Sequence, residues 1–370
     1  MKTGALKSNS LKFHLFIYIQ LLAFIPLFTF AQNGSSKKDT LAIPVKTNRI
    51  SEERFIMING IDQWVTIKGE RTKPAILFLH GGPGSPISPY ADAIYGGWEK
   101  DFILIQWDQR GTGKTYGKNA PAELDADYLK SNPLTVEQMV SDGIALTEYL
   151  RKYLGKEKFI LLGSSWGSEL GVSMVIKRPD LFCAYVGHSQ VVDPSENLVY
   201  DYQKILKMAQ RAGDQQSVNE LRMIGAPPYD TARNAGRLFR VIKKYERQNS
   251  VPAPDSIWKP SPLYDSKKDE QDRADGDDYS FVNYVGDKRL GVIPMMATVH
   301  LSKNALDFKV PVYLIQGEED ILTPKEISKK YFDQIRAPKK EYVLVPGAAH
   351  GFNASVLKAQ FKIVQSISCP

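Results

Sequence analysis

Three serines stand within five positions in the stretch "FILLGSSWGSEL", residues 159–170. A serine does covalent chemistry only when a base can take its proton and donors can hold the developing oxyanion. The pattern Gly-x-Ser-x-Gly, which lifts a nucleophile on a tight strand-to-helix turn, is met in one register only: Gly163-Ser164-Ser165-Trp166-Gly167. A frame on Ser164 would need glycine at Leu162, and a frame on Ser168 would need it at Trp166 and Leu170. Ser165 is therefore the candidate nucleophile.

A base and an acid must follow it, because a serine on such an elbow is followed in chain order by acid and then histidine. His14, His80, His188 and His300 fall early, at strand ends or beside an irregular segment, whereas His350 in "VPGAAHGF" comes after the last apolar run. The run before it, "VYLIQGEEDILTP", offers Glu318, Glu319 and Asp320. Thr323-Pro324-Lys325-Glu326 reads as a capping box with proline at the first helical position, which leaves Asp320 free to orient His350. For the oxyanion, "LFLHGGPGSP" places glycines at 81, 82 and 84 after a strand, so backbone N–H groups there could pair with the N–H of Trp166. The tempting "DQRGTGKT" is no phosphate loop, since Asp108 stands where that pattern requires glycine.

The elements that must hold these residues are legible in the apolar pattern. Asn59-Gly60 joins two strands as a hairpin, and short apolar runs at 75–80, 102–107, 159–163, 182–188, 310–316 and 341–347 alternate with helical stretches. Continuous apolar strands separated by helices predict an α/β fold with a mostly parallel sheet covered on both faces. One covering helix follows Thr135 as N-cap and ends before Gly155. From 192 to 306 the alternation stops and helical runs take over, which predicts an inserted helical cap between catalytic-domain segments 50–191 and 307–370. The acidic run "DSKKDEQDRADGDD" inside it reads as a solvated face.

Ahead of these elements, Lys2, Lys7 and Lys12 precede an apolar run from Phe13 to Phe30, and Ala31 suits a cleavage site; residues 1–31 read as a secretory signal, with an uncleaved membrane anchor as the alternative. Residues 32–49 read as a flexible leader, and the mature protein is expected in a periplasm or outside the cell. The formal charge of +7 falls by three with the signal, and lysines and arginines are interspersed with acids, which argues against a nucleic-acid partner. Export permits a disulfide between Cys183 and Cys369, but Cys183, in an apolar stretch, reads first as a small buried hydrophobe. No Cys/His cluster has metal-ligand spacing, and the chemistry calls for no cofactor.

Taken together, "HGGPG" at 80–84, "WDQRGTGKT" at 107–115, "GSSWGS" at 163–168, "GEED" at 317–320 and "GAAH" at 347–350 resemble the proline iminopeptidase family, serine aminopeptidases of the α/β-hydrolase superfamily. The resemblance implies a triad of Ser165, Asp320 and His350, with Gly82 and Trp166 as the oxyanion donors. It also implies that acidic side chains of the cap bind a free substrate amine; Glu196, in "VVDPSEN" at the cap's entry, is the candidate. The expected activity is hydrolysis of small peptides or amides with a free N-terminus. Esters are the alternative substrates, and a non-catalytic ligand-binding protein of the same fold is the second alternative.

Overall fold

In the computed structural model, residues 48–121 and 123–370 are described; the expected signal and nearly all of the expected leader lie outside them. The described residues open with β1 (Arg49–Ile58) and β2 (Ile61–Glu70), an antiparallel hairpin closed by Asn59 and Gly60, both at positive φ as the dipeptide predicts. Next come β3 (Ala75–Leu79), β4 (Ile103–Trp107), β5 (Phe159–Ser164), β6 (Phe182–His188), β7 (Val312–Gly317) and β8 (Lys340–Val345). They form one eight-stranded sheet in the order β1-β2-β4-β3-β5-β6-β7-β8, parallel from β4 to β8 and antiparallel at the hairpin edge.

The inner parallel strands, β3 to β7, are apolar on both faces because both are covered, whereas β8 at the edge is largely exposed. Leu77, Leu79, Ile103, Ile105 and Leu161 pack toward the helices Val136–Leu154 and Trp166–Lys177, while Ile76, Phe78, Leu104, Ile160 and Leu162 pack toward Tyr95, Trp98 and Ile363. Period-two alternation thus splits each strand between two cores. The helix Val136–Leu154 keeps the expected caps, with the Thr135 side chain accepting from Gln138 N and Gly155 left-handed at its end.

Between β6 and β7 lie the helices Pro194–Arg211, Gln215–Ile224, Ala232–Asn249 and Lys267–Val285, with short turns but no strand of the sheet. The acidic run is not merely a solvated face. It forms the helix Lys267–Val285, which lies against the segment 111–117: Lys114 pairs with Asp269, Ser280 Oγ donates to the Gly111 carbonyl at 2.8 Å, and Gly117 leaves room for Asp272. "GTGKTYG" therefore serves as the surface on which an acidic helix docks.

A second correction concerns the cysteines. Cys183 is half-buried and disulfide-bonded to Cys369 across 186 residues of sequence. The terminal helix Ala354–Gln365 packs beside β6, β7 and β8 and carries the tail back to the start of β6, an approach that residue spacing could not reveal. Among the described residues no helix is long and apolar enough to cross a membrane.

Candidate active site

Ser165 caps β5 and begins the helix Trp166–Lys177 with φ 54° and ψ −125°, backbone that a side-chain-bearing residue rarely adopts. The turn is held from both sides: the Ser165 N–H donates to the His188 carbonyl at 3.0 Å, and its own carbonyl accepts from Ser168 N and Oγ at 2.7 and 2.6 Å. Gly167 is obligatory for a packing reason, since a Cβ there would collide with the carbonyls of Leu79 and His80 on the neighbouring strand end. The hydroxyl of Ser165 is thereby fixed above the sheet's C-terminal edge, where open α/β sheets present their reactive groups.

His350 Nε2 lies 2.9 Å from Ser165 Oγ, and His350 Nδ1 lies 3.2 Å from each oxygen of Asp320. Asp320 follows β7 and its side chain is fully buried; His350 follows β8. The capping box expected at Thr323 does not form. The helix starts at Lys325 without a side-chain cap, and Thr323 turns back, donating to Asp320 from Oγ1 at 2.7 Å and from its backbone N–H at 2.8 Å. Gln316 Nε2 adds a third donor at 2.9 Å. An acid that accepts several strong donors outcompetes the helix terminus for this threonine.

Burial alone would raise the Asp320 pKa, but the His350 charge and the Thr323 bonds hold it below the usual carboxylate range. For His350 burial opposes the charged ring, yet the Asp320 carboxylate, aided by Glu246, pushes its pKa above the ordinary value. His80 and His188 behave oppositely: burial takes both down to about 4, so they stay neutral near pH 7.

Gly82 adopts φ 110°, and its N–H has no acceptor among the described residues. Trp166 supplies the first N–H of its helix, one that has no intrahelical partner. Gln109, from "DQRG", binds both segments: its amide donates to the His80 carbonyl at 3.2 Å and accepts from the Trp166 indole at 2.9 Å, while its backbone N–H donates to His80 Nε2 at 3.2 Å. Sequence reasoning missed Gln109 and Thr323; the block "WDQRG" was the available signal for the first, and the second was assigned to a helix end.

Glu196 stands exposed in the first turn of Pro194–Arg211, with no hydrogen bond to Ser165, Asp320 or His350. Other cap carboxylates do come close. Ser85 Oγ, just past "HGGPG", donates to Asp277 at 2.9 Å, and the backbone of Asp277 lies against Gly84. Glu246, nearly inaccessible to solvent, accepts the N–H groups of Ile321 and Leu322 at 2.8 and 3.1 Å, and Asp201 is buried with Oδ1 unpartnered among the described residues. Among the described residues no cluster suits a metal ion.

Comparison with known proteins agrees with this architecture. The sequence profile of the family described as serine aminopeptidase, S33, matches residues 70–353. A probable aminopeptidase of Bacillus subtilis, YbaC, is 28% identical over 326 residues, covering 85% of this chain and 92% of its own. The proline iminopeptidase of Lactobacillus delbrueckii subsp. lactis is 22% identical over 302 residues, covering 80% and 91%. Among solved structures, proline iminopeptidase of Mycobacterium smegmatis superposes with a TM-score of 0.58 at 18% identity, covering 85% of this chain and 96% of that one; this bears on the fold alone. The profile match runs from the end of β2 to just beyond His350, and the chain accordingly belongs to the serine aminopeptidase family S33, as an aminopeptidase-like hydrolase of the α/β-hydrolase fold.

Proposed function

We propose that the protein is an exported serine aminopeptidase that cleaves small peptides or amides bearing a free N-terminus through an acyl-enzyme. The observation that carries this reading is the continuous contact Ser165 Oγ to His350 Nε2 at 2.9 Å and His350 Nδ1 to Asp320 at 3.2 Å, at the C-terminal edge of the sheet. Ser165 Oγ attacks the substrate carbonyl while His350 takes its proton, and Asp320 stabilises the imidazolium. The N–H groups of Gly82 and Trp166 hold the negative oxygen. As the intermediate collapses, His350 gives its proton to the leaving amine; water, activated by the same histidine, then releases the acyl group and restores Ser165.

Asp277 is a better partner for the substrate ammonium than the exposed Glu196. It is half-buried, it touches the residue after the oxyanion loop, and burial pushes its pKa up, a cost that a bound ammonium offsets. Export is supported by the apolar run behind Lys2, Lys7 and Lys12 and by the disulfide, which persists in oxidising compartments.

The test is a panel of aminoacyl arylamides, free and N-blocked, beside acetyl and butyryl esters. Ser165→Ala is expected to abolish turnover and fluorophosphonate labelling, and Asp277→Asn to raise KM for free-amine substrates only. Preference for esters with indifference to blocking would mark an esterase; an unlabelled but folded Ser165 would mark a binding protein.

A further inference from the structure

The cap's contact with the acid loop is too specific for a lid. Asp320 is aimed at His350 by the short turn 320–323, and that turn uses its own donors on Asp320 itself. The two N–H groups between them, of Ile321 and Leu322, would be left without acceptors if the cap were absent; both donate to a single oxygen, Glu246 Oε1, on the cap helix Ala232–Asn249. Satisfying a buried and a half-buried donor with one carboxylate oxygen makes the turn stiff and ties it to the cap. We propose that Glu246 is a positioning residue contributed by the cap, fixing through Ile321 and Leu322 the loop that aims Asp320 and placing a second negative charge behind His350.

The electrostatic surroundings agree. Burial and the neighbouring Asp320 carry the Glu246 pKa up to about 7, against the opposing pull of His350 and the two N–H groups. Asp201, from the helix Pro194–Arg211, adds negative charge when ionised, although burial favours its neutral form, whereas Lys243, three residues before Glu246, opposes the imidazolium. Asp320 and Glu246 thus act together on the ring, and removing the Glu246 charge must lower the His350 pKa.

The inference rests on Ser165 being the nucleophile, and the experiment separates the two. Wild-type, Glu246→Gln and Glu246→Ala proteins are assayed on an aminoacyl arylamide and on p-nitrophenyl acetate across pH, and a separate aliquot of each is labelled with a fluorophosphonate to count reactive Ser165. Glutamine keeps the acceptor, so Glu246→Gln should retain kcat near its optimum while the acidic limb of kcat/KM moves to lower pH. Alanine removes the acceptor, so kcat should fall roughly 10- to 100-fold on both substrates with KM unchanged. An unmoved limb in Glu246→Gln overturns the proposal even if the alanine variant fails to fold, as does unchanged kcat in Glu246→Ala. A KM rise confined to the free-amine substrate would overturn it in favour of direct ammonium binding. Failure of the wild type to label would instead remove the Ser165 reading.

Discussion

At the scale of single residues, the site depends on side chains whose roles differ from their local appearance. Thr323 resembles a helix cap, yet it gives two hydrogen bonds to Asp320. Thr323→Val, which keeps shape and backbone but loses the hydroxyl, is expected to lower kcat by roughly tenfold, the worth of one hydrogen bond to a charged group at about 1.5 kcal/mol; steady-state kinetics at the pH optimum measures it, and KM should hold. The glycine frame of Ser165, the chain order of His350 and the position of Asp320 could all be read from the sequence because each follows from local backbone chemistry. Thr323 and Glu246 could not. A capping pattern is identical whether the hydroxyl meets a helix or a carboxylate, and nothing in sequence spacing brings residue 246 to residue 321.

At the scale of elements, apolar runs and turn residues gave away every strand of the sheet, since buried parallel strands need continuous apolar sequence. The cap's helices were legible too, but not their docking. The helix Lys267–Val285 reads as solvated because its acids dominate its composition, whereas Lys114 and the Gly111 carbonyl give part of that polar face partners on the catalytic segment. The elbow itself is a contact between a helix and a strand end, and it has no slack. Gly167→Ala should destabilise the protein by roughly 1–3 kcal/mol through overpacking against Leu79 and His80, and should also cut kcat because relief of the collision displaces Ser165. Thermal unfolding beside kinetics tests both parts.

At the scale of the whole molecule, the bond between Cys183 and Cys369 joins the middle of the sheet to the end of the chain. Replacing both cysteines by serine should lower unfolding free energy by roughly 2–5 kcal/mol while leaving turnover at room temperature nearly intact, because Cys183 lies at the start of β6, at the opposite end of the sheet from Ser165. Denaturant melts of the oxidised, reduced and substituted proteins check this. The bond also has a topological meaning. It closes a covalent ring that contains the entire cap, Asp320 and His350, leaving Ser165 just outside on the other side of Cys183. A protease that cuts an exposed loop between residues 183 and 369 therefore cannot release either piece, and a nicked molecule keeps its nucleophile tethered to its base and acid. Damage of that kind would leave the parts of the candidate site still joined.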